Sequence, residues 1–147
     1  MPYTHLVFTL PHALNGLAGH HFRAITDLLF ASAAATLTAF GANGRWLGGQ
    51  LAFSLVLHTW SQDLGRHLHV HALVASGVLT ADGRWVRSRR GFLFPVKALS
   101  KVFRGKFIDG LAHVRRHACR DLYQTREAPG QQWILLLKPP PPGLQSP

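Results

Sequence analysis

The sequence predicts an α+β domain: an antiparallel sheet that carries its helices on one face. Three observations predict it. Short β-branched and aromatic runs, bounded by glycine, proline and polar turns, alternate with two long stretches of helical apolar spacing. Two of those runs are separated by one short polar turn, the mark of an antiparallel pair. The 147 residues are 47% hydrophobic and 10% aromatic, enough for one globular core.

The elements follow in order. His5–Leu10 (HLVFTL), stopped by Pro11, reads as a strand. Gly19–Phe40 reads as a helix, because Phe22, Ile25, Leu29, Ala33, Leu37 and Phe40 recur at three- and four-residue steps before Gly41, Asn43 and Gly44. Gly48 and Gly49 precede a second strand, Gln50–Thr59; a polar turn at Gln62–Gly65 leads to a third, His67–Ala75. Ala81-Asp82-Gly83 is a turn signal, and Trp85–Val86 a short edge strand. Phe94-Pro95 opens a second long helix, with proline suited to its first turn. Its apolar stripe is Leu99, Val102, Phe103, Leu111, Val114, Ala118 and Leu122, broadened by Phe107 and Ile108; Gly105 and Gly110 weaken the helix and are candidate breaks. Trp133–Leu137 is a last strand. Lys138–Pro147 (KPPPPGLQSP) supports neither ladder nor helix and reads as a loose tail, which leaves residues 1–137 as the domain.

Sixteen Lys and Arg stand against six Asp and Glu, a net charge of +10. That excess favours polyanionic partners, since each cation placed on a phosphate releases condensed counterions. One cysteine, Cys119, excludes an internal disulfide and a cysteine zinc site, and fits a reducing cytoplasm. The N-terminus has no signal-peptide pattern. Apolar runs such as Leu28–Ala35 and Ile134–Leu137 are too short to span a bilayer, so no membrane is expected.

The chemistry concentrates in the third strand. Alternate strand residues share a face, so His67, His69 and His71 project one way while Leu68 and Val70 project toward the core. Two imidazoles two residues apart on a rigid strand chelate one divalent cation, and imidazole suits zinc, manganese and other transition ions. A third ligand has to come from elsewhere: His67, Gln62, Asp63, His58 and Glu127 are candidates. An open coordination position would polarise a phosphate oxygen. The alternative is a row of surface histidines. Candidate contacts to a DNA backbone are Arg87, Arg89 and Arg90 in the VRSRRG run, with Lys97, Lys101 and Arg104 on the second helix. Trp46, Trp60, Trp85 and Trp133 either stack on unpaired bases or pack against the sheet.

Leu57–Val74 (LHTWSQDLGRHLHVHALV) resembles the core of the two-tyrosine insertion-sequence transposases, a branch of the HUH endonucleases. So do His5–His12 (HLVFTLPH), Asn43–Gly49 (NGRWLGG) and Gly91–Phe107 (GFLFPVKALSKVFRGKF). The resemblance covers most of residues 1 to about 112. It implies a ferredoxin-like, RRM-like antiparallel sheet whose central strand bears the histidine pair. In that family the pair around a single hydrophobic residue binds Mg²⁺ or Mn²⁺; it maps onto His69 and His71 around Val70. The cation polarises the scissile phosphate of single-stranded DNA at a transposon end, and a tyrosine attacks to leave a 5′-phosphotyrosine link.

The chain departs from the family in two places. The family's cysteine-rich zinc module precedes the nuclease, and Cys119 alone cannot build one. The family's W-x-x-x-x-K-P-P stretch matches Trp133–Pro140, but the expected tyrosine segment does not follow. Tyr3 and Tyr123, the two tyrosines, do not occupy the family's nucleophile position. The expectation is therefore a nuclease domain truncated at both ends and catalytically incomplete, with a full-length transposase as a possible partner. The alternatives are a non-catalytic nucleic-acid module and a non-functional transposase remnant. A zinc hydrolase ranks below these, because no H-E-x-x-H occurs.

Overall fold

The computed structural model describes residues 3–60, 66–88, 93–118 and 133–137. The elements run β1 (Tyr3–Thr9), a 3-10 turn (His12–Leu14), α1 (Asn15–His20), α2 (Phe22–Ala42), β2 (Gln50–Trp60), β3 (Arg66–Leu79), β4 (Trp85–Arg87), α3 (Val96–Ala118) and β5 (Ile134–Leu137). The sheet order is β2-β3-β1-β5, with β4 also on β3. Every pairing is antiparallel. With α1 and β4 set aside, the order is β-α-β-β-α-β and β3 is inserted between β1 and β2, the ferredoxin-like arrangement the resemblance implies. β4 meets Gly77–Leu79 on the side away from β2, so it continues the line of β1 beyond Tyr3.

Strand alternation decides which face is covered. Leu6, Phe8 and Leu10 of the β1 segment and Leu68, Val70, Ala72 and Val74 of β3 are buried. The residues between them on β3 are half-buried or exposed. The helices supply the other half of one continuous core. Ile25, Leu29, Ala33 and Leu37 make a wholly buried edge on α2, and Leu99, Phe103 and Phe107 make one on α3. Phe8 meets Phe103 with ring centroids 4.9 Å apart. Both long helices thus lie on the Phe8 side of the sheet. By length and composition α2 is apolar enough to cross a membrane, which the shorter runs noted in the sequence did not anticipate. Its apolar edge is spent on the sheet instead.

Three local departures from the sequence reading have physical causes. The single helix expected over Gly19–Phe40 is two helices that change direction at His21 (φ −127°, ψ 46°). The His21 N–H donates to Leu17 O and closes α1, while its carbonyl accepts from Ile25 N–H and starts α2. β3 runs four residues beyond Ala75, because Gly77–Leu79 pairs with β4. A Cβ at Gly77 would stand 2.6 Å from the Trp85 ring, so only glycine lets the tryptophan lie there. Finally, α3 passes through Gly105 and Gly110 unbroken, with Leu28 of α2 lying against Gly110. The expected Leu122 lies outside the described residues.

The NGRWLGG segment is a helix stop. The Asn43 carbonyl accepts from the N–H groups of Trp46, Leu47 and Gly48, and its side-chain oxygen accepts from Arg45 N–H. Gly48 then takes a positive φ of 72° and turns the chain into β2.

Candidate metal centre

The face of the sheet away from the helices carries the histidines. β3 contributes His67, His69 and His71, and the buried Leu68, Val70 and Ala72 pin the strand from behind. β2 is registered so that His58 pairs with His69 and Val56 with His71. Residues paired across a ladder share a face, which brings His58 over both rings. Its centroid is 4.1 Å from that of His71 and 5.3 Å from that of His69. His58, His69 and His71 each offer a ring nitrogen within 4.8 Å of the others, with His58 exposed and the other two half-buried.

Hydrogen bonds fix how the rings present themselves. Nδ1 of His69 is 3.0 Å from the His67 carbonyl. A carbonyl only accepts, so Nδ1 carries the proton and Nε2 keeps its lone pair. Nδ1 of His71 lies 2.7 Å from Nε2 of His5 on β1. His67 is held differently: its Nε2 is 2.8 Å from the Thr9 hydroxyl, and its ring lies beside His12, 4.9 Å between centroids. His67 Nδ1 is buried without a hydrogen-bond partner among the described residues. The third imidazole of the cluster is therefore His58, and His67 stands beside it in a separate contact.

All three β3 imidazoles are held neutral. Burial, first of all, pushes His71 down to about 4, helped by the neighbouring His58, His5 and His69. Burial also lowers His69; its bond to His67 O opposes this and His58 adds to it. His67 is lowered by burial and then by His12 and His69. Neutral imidazole is the form that ligates a cation.

The other candidates divide. Arg87 is exposed at the end of β4, and Lys97 and Lys101 are exposed on α3. Arg104, half-buried, lies over the Trp133 ring, 5.9 Å from its centroid. α3 sits behind the sheet, so its cations are not on the histidine face. Gln62, Asp63, Arg89, Arg90, Tyr123 and Glu127 lie outside the described residues. Trp133 packs against Phe103 and Phe107, and Trp46 stacks on Phe40; both are packing residues. Trp85 covers Gly77, and the side chain of Trp60 lies outside the description.

Residues 52–138 match the Y2_Tnp family, described as "Putative transposase". The chain is 35% identical over 153 residues to "Putative transposase y4qJ" of Sinorhizobium fredii, covering 94% of this chain and 38% of that protein. It is 39% identical over 84 residues to the transposase for insertion sequence element IS801 of Pseudomonas savastanoi pv. phaseolicola, covering 57% and 20%. The chain thus spans well under half the length of these curated relatives. Among solved structures, it resembles the conjugative relaxase TrwC in its metal-bound complex with OriT DNA. The TM-score is 0.60 at 19% identity, over 76% of this chain and 44% of that one. TrwC complexed with a 27-mer DNA comprising the recognition hairpin and cleavage site matches with a TM-score of 0.60 at 21% identity, over 75% and 44%. That likeness is one of fold: an antiparallel sheet with helices on one face.

Proposed function

The chain belongs to the Y2_Tnp transposase family, and from that premise we propose that it forms the metal-binding palm of an HUH-type nuclease acting on single-stranded DNA at a transposon end. The observation that carries this reading is the meeting of His58, His69 and His71 nitrogens within 4.8 Å on the open face of the sheet. Three converging imidazoles fit a divalent cation, Mg²⁺ or Mn²⁺ in the proposal, with nitrogen donors favouring the transition ion of the two. When bound, the cation supplies Lewis-acid polarisation of a scissile phosphate oxygen.

The chain's own residues do the rest of the positioning. The His67 carbonyl holds His69 with Nε2 outward. Val70, wholly buried, anchors the strand between the two ligands. The exposed edge of His58 leaves the centre open to a DNA strand. Arg87, on β4, pairs with Gly77 of β3, six residues along that strand from His71, or about 20 Å. With Arg89 and Arg90 it is proposed to track the phosphate backbone there. Lys97, Lys101 and Arg104 lie behind the sheet and are proposed to meet DNA beyond the scissile segment. Residues 1–137 are proposed as the nuclease domain and 138–147 as an appended tail, the whole acting in the cytoplasm. Neither Tyr3 nor Tyr123 is assigned the nucleophile, and a full-length transposase is proposed as a partner.

The test is binding of a labelled single-stranded oligonucleotide carrying the end of a related insertion sequence, with Mn²⁺ and with EDTA. Mn²⁺-stimulated binding that His69→Ala/His71→Ala abolishes is the expected result. Binding that ignores both the metal and the two histidines would instead support the non-catalytic nucleic-acid module.

A further inference from the structure

The metal reading gives no task to the imidazole of His5, on the open face of the sheet. His5 is on β1, where it pairs with Leu73, while Val7 pairs with His71. It is therefore a diagonal neighbour of His71 on the same face. The two rings are 4.9 Å apart at 38°. Nε2 of His5 stands 2.7 Å from Nδ1 of His71, a full hydrogen bond.

Proton accounting gives this bond a direction once His71 is a ligand. A neutral imidazole carries one N–H. If His5 donated, the His71 proton would sit on Nε2, and neither ring nitrogen would keep a free lone pair for a cation. If His71 donates from Nδ1, its Nε2 lone pair is free and His5 must hold its own proton on Nδ1. His69 already follows the second pattern, with its Nδ1–H on the His67 carbonyl. Both β3 imidazoles then keep a free lone pair on Nε2, each tied by Nδ1 to a protein acceptor.

We propose that His5 is a positioning residue of the metal centre, accepting the Nδ1–H of His71 and so fixing the ring orientation and tautomer in which Nε2 faces the cation. Such acceptors behind ligating histidines set both orientation and ligand basicity. Here β1 supplies the acceptor from a neighbouring strand. The inference rests on the His58, His69 and His71 reading, and its test separates the two.

Co²⁺ is titrated into the metal-free chain and into His5→Phe and His5→Gln. Phenylalanine keeps a ring at this site without an acceptor; glutamine offers an amide oxygen at comparable reach. The expected result is that His5→Phe weakens Co²⁺ binding roughly 10–100-fold, the usual effect of losing such a partner, and that His5→Gln recovers most of it. Equal affinity in His5→Phe and the parent, or no recovery in His5→Gln, overturns the role of His5 alone. No Co²⁺ binding by the parent overturns the metal centre and His5 with it. Should His5→Phe fail to fold, the imidazole ¹⁵N spectrum of the Zn²⁺-loaded parent decides. A proton on His71 Nδ1 with coordination through Nε2 is expected, and coordination through Nδ1 overturns the proposal.

Discussion

Lowering the pH should destabilise the metal-free fold through His71. Its imidazole is held at about 4 in the folded chain, against an ordinary 6.5. The folded state is the one that resists the proton, so the unfolded chain binds more protons between those values. Stability is therefore complete above about 6.5, falls as the pH drops through that value, and stops falling below about 4. At pH 5 the unfolded imidazole is protonated and the folded one is not, a difference of about 2 kcal/mol by linkage. His71 is only half-buried, and solvent screening brings this to about 1 kcal/mol. The assay is urea unfolding in EDTA at pH 7.5 and pH 5, on the parent and on His71→Asn. Asparagine places an amide nitrogen near the position of Nδ1 but cannot take the proton. His67 and His69 shift in the same direction, so both chains lose stability. The parent should lose about 1 kcal/mol more. Equal losses would refute the idea that burial, helped by the neighbouring imidazoles, holds His71 neutral.

Three further outcomes follow from the packing and the site. Phe103→Ala removes a wholly buried ring that meets Phe8, Phe107 and Trp133; urea unfolding should register a loss of about 3–5 kcal/mol. Gly48→Ala forces a side chain onto φ 72° and should lower stability by about 1 kcal/mol, read from the same melts. Isothermal titration with Mn²⁺ should find His58→Ala more damaging than the roughly 10–100-fold expected for loss of a mere hydrogen-bond partner, and His67→Ala nearly silent; the reverse order would move the third ligand to His67.

The faces of the strands were legible because side-chain alternation has a period of two. His67, His69 and His71 had to share a side once Leu68 and Val70 were inward. The partner from β2 was not legible to the same degree. His58 reaches His69 only through the register of two strands joined by residues 61–65, and that register shifts between His58 and Trp60. A one-residue slip would have sent His58 to the core face, so the sequence left it among several candidates. The link from His5 to His71 spans 66 residues and depends on β1 pairing with β3, which local patterns do not specify. The same limit applies to the helices. Spacing found the Ile25–Leu37 and Leu99–Leu111 stripes with Phe107 among them, but not the change of direction at His21, nor the exposure of Phe22 and Val102. The charges were visible by count, whereas their distribution needed the fold: α3 carries Lys97 and Lys101 behind the sheet, and Arg87 ends a strand beside β3.

The central claim is that His58, His69 and His71 hold one divalent cation on the open face of the sheet. Anomalous diffraction from crystals soaked in Mn²⁺ tests it most directly. The expected result is one peak in contact with a nitrogen of each of the three rings, with Nε2 as the atom used by His69. A peak between His67 and His12, or none near the histidine face, would contradict it.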